Sequence, residues 1–196
     1  MKLEGEKLVL GKKLTDLDQK VLDFTEKLES LDVKYVVVSG YVAILTGRSR
    51  GTEDVDLLLD PATFDNSKFG KLIDSGYWSV DATKREEAED RLEDDLSIRL
   101  AEDGETVPNF EIFYPSTSWD RDCIEQRVRV EMGEEVLYIS PIELQIAYKL
   151  YLGSQKDFED ALHLFTVFRE DIDEGKLEKI AGEMSVHGEL ERLGET

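Results

Sequence analysis

Val38-Ser39-Gly40-Tyr41-Val42-Ala43, followed by Gly47-Arg48-Ser49-Arg50-Gly51-Thr52-Glu53-Asp54-Val55-Asp56, is the stretch whose reading decides the fold. The run Tyr35-Val36-Val37-Val38 is β-branched and ends on two small residues, so it reads as a strand buried on both faces that runs into a turn. Tyr41 to Thr46 reads as a short helix stopped at Gly47. Asp54 to Asp60 begins with strict alternation and finishes apolar, which suits a strand whose N-terminal end meets solvent on one face.

The chemistry of the stretch lies in its order. Residues two apart on a strand share a face, about 6.6 Å apart along it, so Asp54 and Asp56 project together while Val55 and Leu57 turn to the core. Two carboxylates whose oxygens met at roughly 4 Å would repel by about 4 kcal/mol at an effective dielectric near 20, and a bound cation relieves this. Magnesium suits such a pair, being a hard ion held by one or two carboxylates together with substrate phosphates. Ser39-Gly40 ahead of a helix offers backbone N–H groups and close approach to a phosphate. Arg48 and Arg50 bring cations to the same place, and Thr52 adds a hydroxyl. Each feature alone is commonplace; together, in this sequence, they describe a metal and phosphate site.

Around this kernel, Leu17, Val21, Phe24, Leu28 and Leu31 recur at spacings of three and four, predicting a helix from Thr15 to Leu31 with Thr15 as its cap. Pro61 is expected to end the acidic strand and open a helix carrying Phe64, Phe69, Leu72 and Ile73, with a strand at Tyr77 to Val80 beyond it. Lys84 to Asp95 is charge-rich and predicts an exposed helix or a mobile loop. Leu96 to Ala101 and Val107 to Tyr114 flank a turn at Gly104, and Val128 to Met132 and Glu135 to Ile139 flank Gly133, so two hairpins are expected. After Ser140-Pro141, a strong start signal, the pattern becomes helical, at Ile142 to Leu152, Asp157 to Phe168 and Leu177 to Met184. The expected organisation is a mixed α/β lobe over 1–139 and a smaller helical lobe over 140–196.

Composition bounds the partners. The 196 residues carry 24 Lys plus Arg against 45 Asp plus Glu, a formal charge of −21, which excludes a general nucleic-acid coat protein because such binding draws on clustered Lys and Arg. Any RNA must be held locally, and Lys68, Lys71, Lys84, Arg85, Arg127 and Arg129 are the scattered cations on offer. With 14 Lys against 10 Arg the chain lacks the Lys-poor balance of strong salt adaptation, although its acidity suits a salt-rich cytoplasm. No apolar run is long enough to span a membrane and the first residues lack a signal peptide's apolar centre, so a soluble cytoplasmic protein is expected. One cysteine, Cys123, and two histidines, His163 and His187, set structural zinc aside; His163 reads as a packed helix residue.

The sequence Val38-Ser39-Gly40-Tyr41-Val42-Ala43 with Gly47-x-x-Arg50-x-Thr52-x-Asp54-Val55-Asp56 resembles the nucleotidyltransferase superfamily with the polymerase-beta-like fold, in particular its small stand-alone members, the minimal nucleotidyltransferases and the abortive-infection (AbiEii-type) toxin enzymes. Ser140-Pro141-x-Glu143-Leu144-x-x-Ala147-x-Lys149-Leu150 and Lys156-Asp157-x-x-Asp160-Ala161-x-x-Leu164 extend the resemblance to roughly 33–168. It implies an α/β fold with a mixed sheet flanked by helices, and a magnesium-dependent enzyme that moves NMP from an NTP to an RNA (tRNA) or protein hydroxyl, in a toxin–antitoxin or abortive-infection setting. It also implies that Asp54, Asp56 and a third carboxylate, for which Glu111 is the candidate and Asn109 a weaker neighbour, bind two magnesium ions. Ser39, Gly40, Arg50, Thr52 and Lys149 would then face the triphosphate. The resemblance has two departures, Glu where Asp is usual at 111, and Ser-Gly where Gly-Gly or Gly-Ser is usual at 39–40. The competing reading is a non-catalytic antitoxin or binding partner that keeps the fold and acts through its acidic surface.

Overall fold

The computed structural model describes residues 1–82, 84–94 and 96–195. A small ribbon, β1 (Lys2–Glu4) and β2 (Lys7–Val9), leads into α1 (Asp16–Ser30). The deciding stretch forms β3 (Tyr35–Val38), α2 (Gly40–Leu45) and β4 (Asp54–Leu59). Then come α3 (Asn66–Asp74), β5 (Tyr77–Ser79), α4 (Arg85–Glu93), β6 (Ile98–Glu102), β7 (Asn109–Phe113) and α5 (Ser118–Glu125). The hairpin β8 (Val128–Met132) and β9 (Glu135–Ile139) precedes α6 (Ile142–Leu152), α7 (Gln155–Val167), α8 (Glu174–Glu183) and α9 (His187–Gly194).

The strands form one mixed sheet in the order β1-β2-β8-β9-β3-β4-β7-β6-β5. β3 lies antiparallel to β4 and parallel to β9, while β4 lies parallel to β7. All four residues of β3 are buried, as a central β-branched strand requires, and β4 begins with the alternation expected of its two acids. Both hairpins form, β6 with β7 and β8 with β9, with Gly104 and Gly133 at positive φ in the turns.

α1 covers the sheet face opposite the acids. Phe24 stacks on Phe110 with ring centroids 4.0 Å apart, and Phe110, next to Glu111 in an extended strand, points the other way from it. Thr15 caps α1 through a reciprocal box with Asp18, whose buried carboxylate also takes Lys12 and the Tyr41 hydroxyl. Past β9 the chain is helical, and α7 packs against both α2 and α6, which brings its acidic first turns to the end of β3.

Several local expectations need correction. Pro61 does not open a helix; it stands in a turn, and α3 starts at Asn66 because the Asp65 carboxylate accepts from the Lys68 N–H. Ser140 does not cap α6: Pro141 occupies the cap position and the Ser140 hydroxyl goes to the Gln145 side chain. The charge-rich segment is the helix α4, held by the buried Ala88 and Leu92, while Asp95 lies outside the described residues. β1, β2, α5 and α9 were not anticipated. Among the described residues no helix is long and apolar enough to cross a membrane.

Candidate active site

The carboxylates come together by strand register. β4 and β7 run parallel with Asp54 beside Asn109 and Asp56 beside Glu111. Oxygens of Asp54, Asp56 and Glu111, one from each, all lie within 4.8 Å of one another. Burial pushes the Asp56 carboxyl up to about 6; the Ser39 hydroxyl pulls it down, Asp54 and Glu111 push it up, and Lys149 pulls it down again. Three acid oxygens so close, one of them reluctant to ionise alone, make a donor set suited to a hard divalent cation, and their longer Glu member reaches the cluster without displacing its strand. The Thr52 hydroxyl donates to the Asp54 backbone carbonyl at 2.8 Å and to its carboxylate at 3.0 Å, fixing the first acid.

Ser39 sits at the end of β3, where Val38 is paired with Asp56. Its backbone lies at φ 61° and ψ −132°, a region that glycine enters freely and serine does not. The side chain of the buried Gln145 holds it there: its oxygen accepts the Ser39 N–H at 3.2 Å and its amide donates to the Ser39 carbonyl at 2.8 Å. Gly40 is needed for a different reason. A Cβ there would collide with the Arg50 guanidinium, which lies against it. Position 39 therefore has the backbone demand of a glycine, while the missing Cβ at position 40 lets the Arg50 guanidinium lie against the turn.

The structure also brings Arg50 and Lys149 to this corner, each already paired. Lys149, 3% exposed, donates to the Ser39 hydroxyl at 3.2 Å and to Asp157 at 2.7 Å, with Asp160 at 3.4 Å. Arg50 bonds Asp160 at 2.6 Å, and Arg48 engages the other oxygen of Asp160 as well as Glu159. Asp160 is fully buried among three cations, so it acts as the counter-ion that holds them beside the turn. His163 packs on Thr46 nearby, and its pKa is lowered chiefly by burial. Cys123 is buried with its thiol pKa raised by burial, away from any role here.

The cations named for an RNA track are not gathered. Lys68 bonds the Asp32 carbonyl, Arg85 bonds Glu89 and the Asn66 carbonyl, and Arg127 lies over the Tyr138 ring at 3.8 Å. Arg129 pairs with Glu131 on β8, three strands from β4. Besides Lys149, a cation that the sequence reading missed adjoins the carboxylates, Arg99, opposite Glu111 on β6. Its guanidinium pKa is raised first by the hydrogen bond to Asp81 and its charge, then by Glu111 and Asp54. Gln145 was missed as well. The pairing of 99 with 111 is centred on position 105, not on the Gly104 turn, so a register counted from Gly104 would not have set Arg99 opposite Glu111; no sequence signal marks Gln145.

No protein-family model matches the chain, and no curated protein sequence does. Its structure does resemble solved ones. An antigenic nucleotidyltransferase-like protein from Paracoccidioides brasiliensis aligns with TM-score 0.59 at 18% identity over 91% of each chain. The lincosamide antibiotic adenylyltransferase LnuA, solved with lincomycin bound, aligns with TM-score 0.53 at 15% identity over 80% of this chain and 99% of that one. ANT(2'')-Ia in complex with adenylyl-2''-tobramycin aligns with TM-score 0.53 at 11% identity over 87% and 98%. The mixed sheet with its flanking helices is therefore the nucleotidyltransferase fold.

Proposed function

We propose that the chain is a magnesium-dependent nucleotidyltransferase that moves NMP from an NTP to a hydroxyl acceptor. The observation that supports this most is the meeting of Asp54, Asp56 and Glu111 within 4.8 Å, one strand away from the turn at Ser39. In the reaction the acceptor oxygen forms a bond to the α-phosphorus, the bond from that phosphorus to its bridging oxygen breaks, and pyrophosphate leaves; the hydroxyl proton passes to Glu111 or to solvent. Asp54, Asp56 and Glu111 would hold two magnesium ions, which supply charge neutralisation at the phosphates. Ser39, Gly40 and Lys149 face the β- and γ-phosphates, Arg50 adds charge beside Gly40, and Thr52 keeps Asp54 in place. The α/β segment 1–139 carries the acids and the helical segment 140–196 carries Gln145, Lys149, Asp157 and Asp160, so nucleotide binds where the two meet.

The resemblance favours RNA, a tRNA end, or a protein as acceptor, within a toxin–antitoxin or abortive-infection system. The solved structures with lincomycin and adenylyl-tobramycin favour a second reading, a small-molecule hydroxyl. Incubation with each labelled NTP, magnesium and, in turn, total tRNA, co-purifying protein and hydroxylated antibiotics, at low salt and in molar KCl, separates them. Label on one acceptor class, lost in the Asp54→Ala plus Asp56→Ala variant, is expected. Equal labelling by wild type and variant, or none in any condition, sinks the enzymatic reading and leaves the non-catalytic one.

A further inference from the structure

In-line transfer fixes the side from which the acceptor comes, because the nucleophile enters opposite the leaving group. With the leaving pyrophosphate at Ser39 and Lys149, as proposed above, the acceptor oxygen approaches from beyond Glu111. Register identifies what stands there. Val38, Asp56, Glu111 and Arg99 form one row across β3, β4, β7 and β6, on one face and about 4.8 Å apart from strand to strand. Arg99 is thus the next side chain after the third carboxylate.

Arg99 is fixed and accessible. Asp81 accepts its backbone N–H at 2.8 Å, its Nε at 3.0 Å and its Nη2 at 2.6 Å, while its side chain remains 50% exposed. The opposite edge of the guanidinium, Nη1, makes no hydrogen bond among the described residues, so one edge is anchored and the other is open. On the same face of the edge strand Val80 lies beside Arg99, and Trp78, two residues earlier and paired with the buried Ala101, is exposed. The Trp78 indole N–H donates to the carbonyls of Glu102 and Glu105, which sets the orientation of its ring. A guanidinium with a free edge, and an oriented indole two residues farther along the same sheet face, both on the nucleophile's side of the carboxylates, can take an extended nucleotide: phosphate on the cation, base toward the ring.

We propose that Arg99, oriented by Asp81, is an acceptor-binding residue that takes the phosphate next to the reacting hydroxyl, and that the acceptor is the terminal nucleotide of an RNA strand with its base toward Trp78. The inference rests on the nucleotidyl-transfer reading, which determines which side is the acceptor's. One cationic contact on an acidic surface predicts weak, end-directed binding with a shallow salt dependence, unlike that of a basic track.

The test is fluorescence anisotropy of a short single-stranded oligoribonucleotide, labelled at its 5′ end, with full-length protein, magnesium and a non-hydrolysable ATP analogue. Wild type should bind, Arg99→Ala should weaken binding about tenfold or more, and Arg99→Lys should recover part of it. Binding of a fluorescent ATP analogue should change far less than oligoribonucleotide binding in both variants, and both should remain folded by thermal unfolding. Absence of oligoribonucleotide binding by wild type, equal binding by Arg99→Ala, or loss of the nucleotide together with the oligoribonucleotide would each overturn the proposal, as would antibiotic or protein labelling at the wild-type rate by Arg99→Ala. If wild type bound no ATP analogue the nucleotidyl-transfer reading would itself fail, and this one with it, whereas nucleotide binding without Arg99-dependent RNA binding removes the acceptor proposal alone.

Discussion

Ser39 carries opposite demands on its backbone and its side chain. Its positive φ costs about 1–3 kcal/mol for a residue with a Cβ, while the hydroxyl touches Lys149 and Asp56. Ser39→Gly should therefore raise stability by about 1 kcal/mol after the extra entropy of glycine in the unfolded chain is subtracted, and should lower the rate of nucleotidyl transfer. Thermal unfolding and initial labelling rates measure the two effects, and a variant that is both less stable and fully active contradicts the assignment. Asp160 is the second residue on which the corner depends. Asp160→Asn keeps the shape and removes the charge that Arg50 and Arg48 share, so a loss of about 3 kcal/mol is expected from urea unfolding. Single residues were the least legible level in the sequence. Asp54, Asp56 and Glu111 could be read because strand alternation states where a side chain points. Gln145 and the pairing of Lys149 with Asp157 and Asp160 could not, because they depend on how α6 and α7 dock against the end of β3.

At the level of elements, legibility followed local physics. The strands β3 and β4 and the two hairpins were readable because β-branched runs, alternation and turn glycines all agree. The three-residue strands β1 and β2 pair with each other and bury one leucine at most, and only β2 joins the sheet, against the distant β8, so no period announces them. α5 was hidden for another reason: only Cys123 and Ile124 are buried, and its start is marked by a Thr117–Asp120 capping box in place of an apolar stripe. The same motif at α1 is coupled to the core and makes the stability of that helix depend on pH. Burial opposes the charge on Asp18, yet bonds from Lys12, from the Thr15 N–H and hydroxyl and from Tyr41 hold its pKa below the ordinary 3.8. Since the folded value lies under the unfolded one, the stabilisation is complete above about pH 4 and disappears as pH falls through the folded value. Urea unfolding between about pH 5 and pH 2 should show this slope in wild type and a shallower one in Asp18→Asn. Identical slopes would remove Asp18 from the acid sensitivity of the fold.

Across the whole molecule, the charge of −21 and the cluster at Asp56 act in the same direction on the metal-free protein, and they can be separated. The general repulsion is spread over a solvated surface and is screened by salt. The penalty at Asp56 is local and nearly indifferent to salt: burial first, and the neighbouring Asp54 and Glu111 after it, raise the carboxyl from 3.8 to about 6 against the pull of the Ser39 hydrogen bond. Because the folded value exceeds the unfolded one, ionising Asp56 costs the fold: stability declines as pH rises from about 4 to about 6 and is level above, a penalty of at most about 3 kcal/mol at neutral pH. Removing the charge should remove the penalty. In chelator-treated buffer at neutral pH, Asp56→Asn is expected to melt at a higher temperature than wild type, although it discards a candidate catalytic group. Magnesium should then raise the midpoint of wild type and leave that of Asp56→Asn almost unmoved, since the cation neutralises a repulsion the variant no longer has. Potassium chloride should raise both midpoints together, so the difference between them measures the site alone. If Asp56→Asn melted below wild type without metal, the three carboxylates would not be an electrostatically loaded cation site, and the nucleotidyl-transfer reading would lose the observation that supports it most.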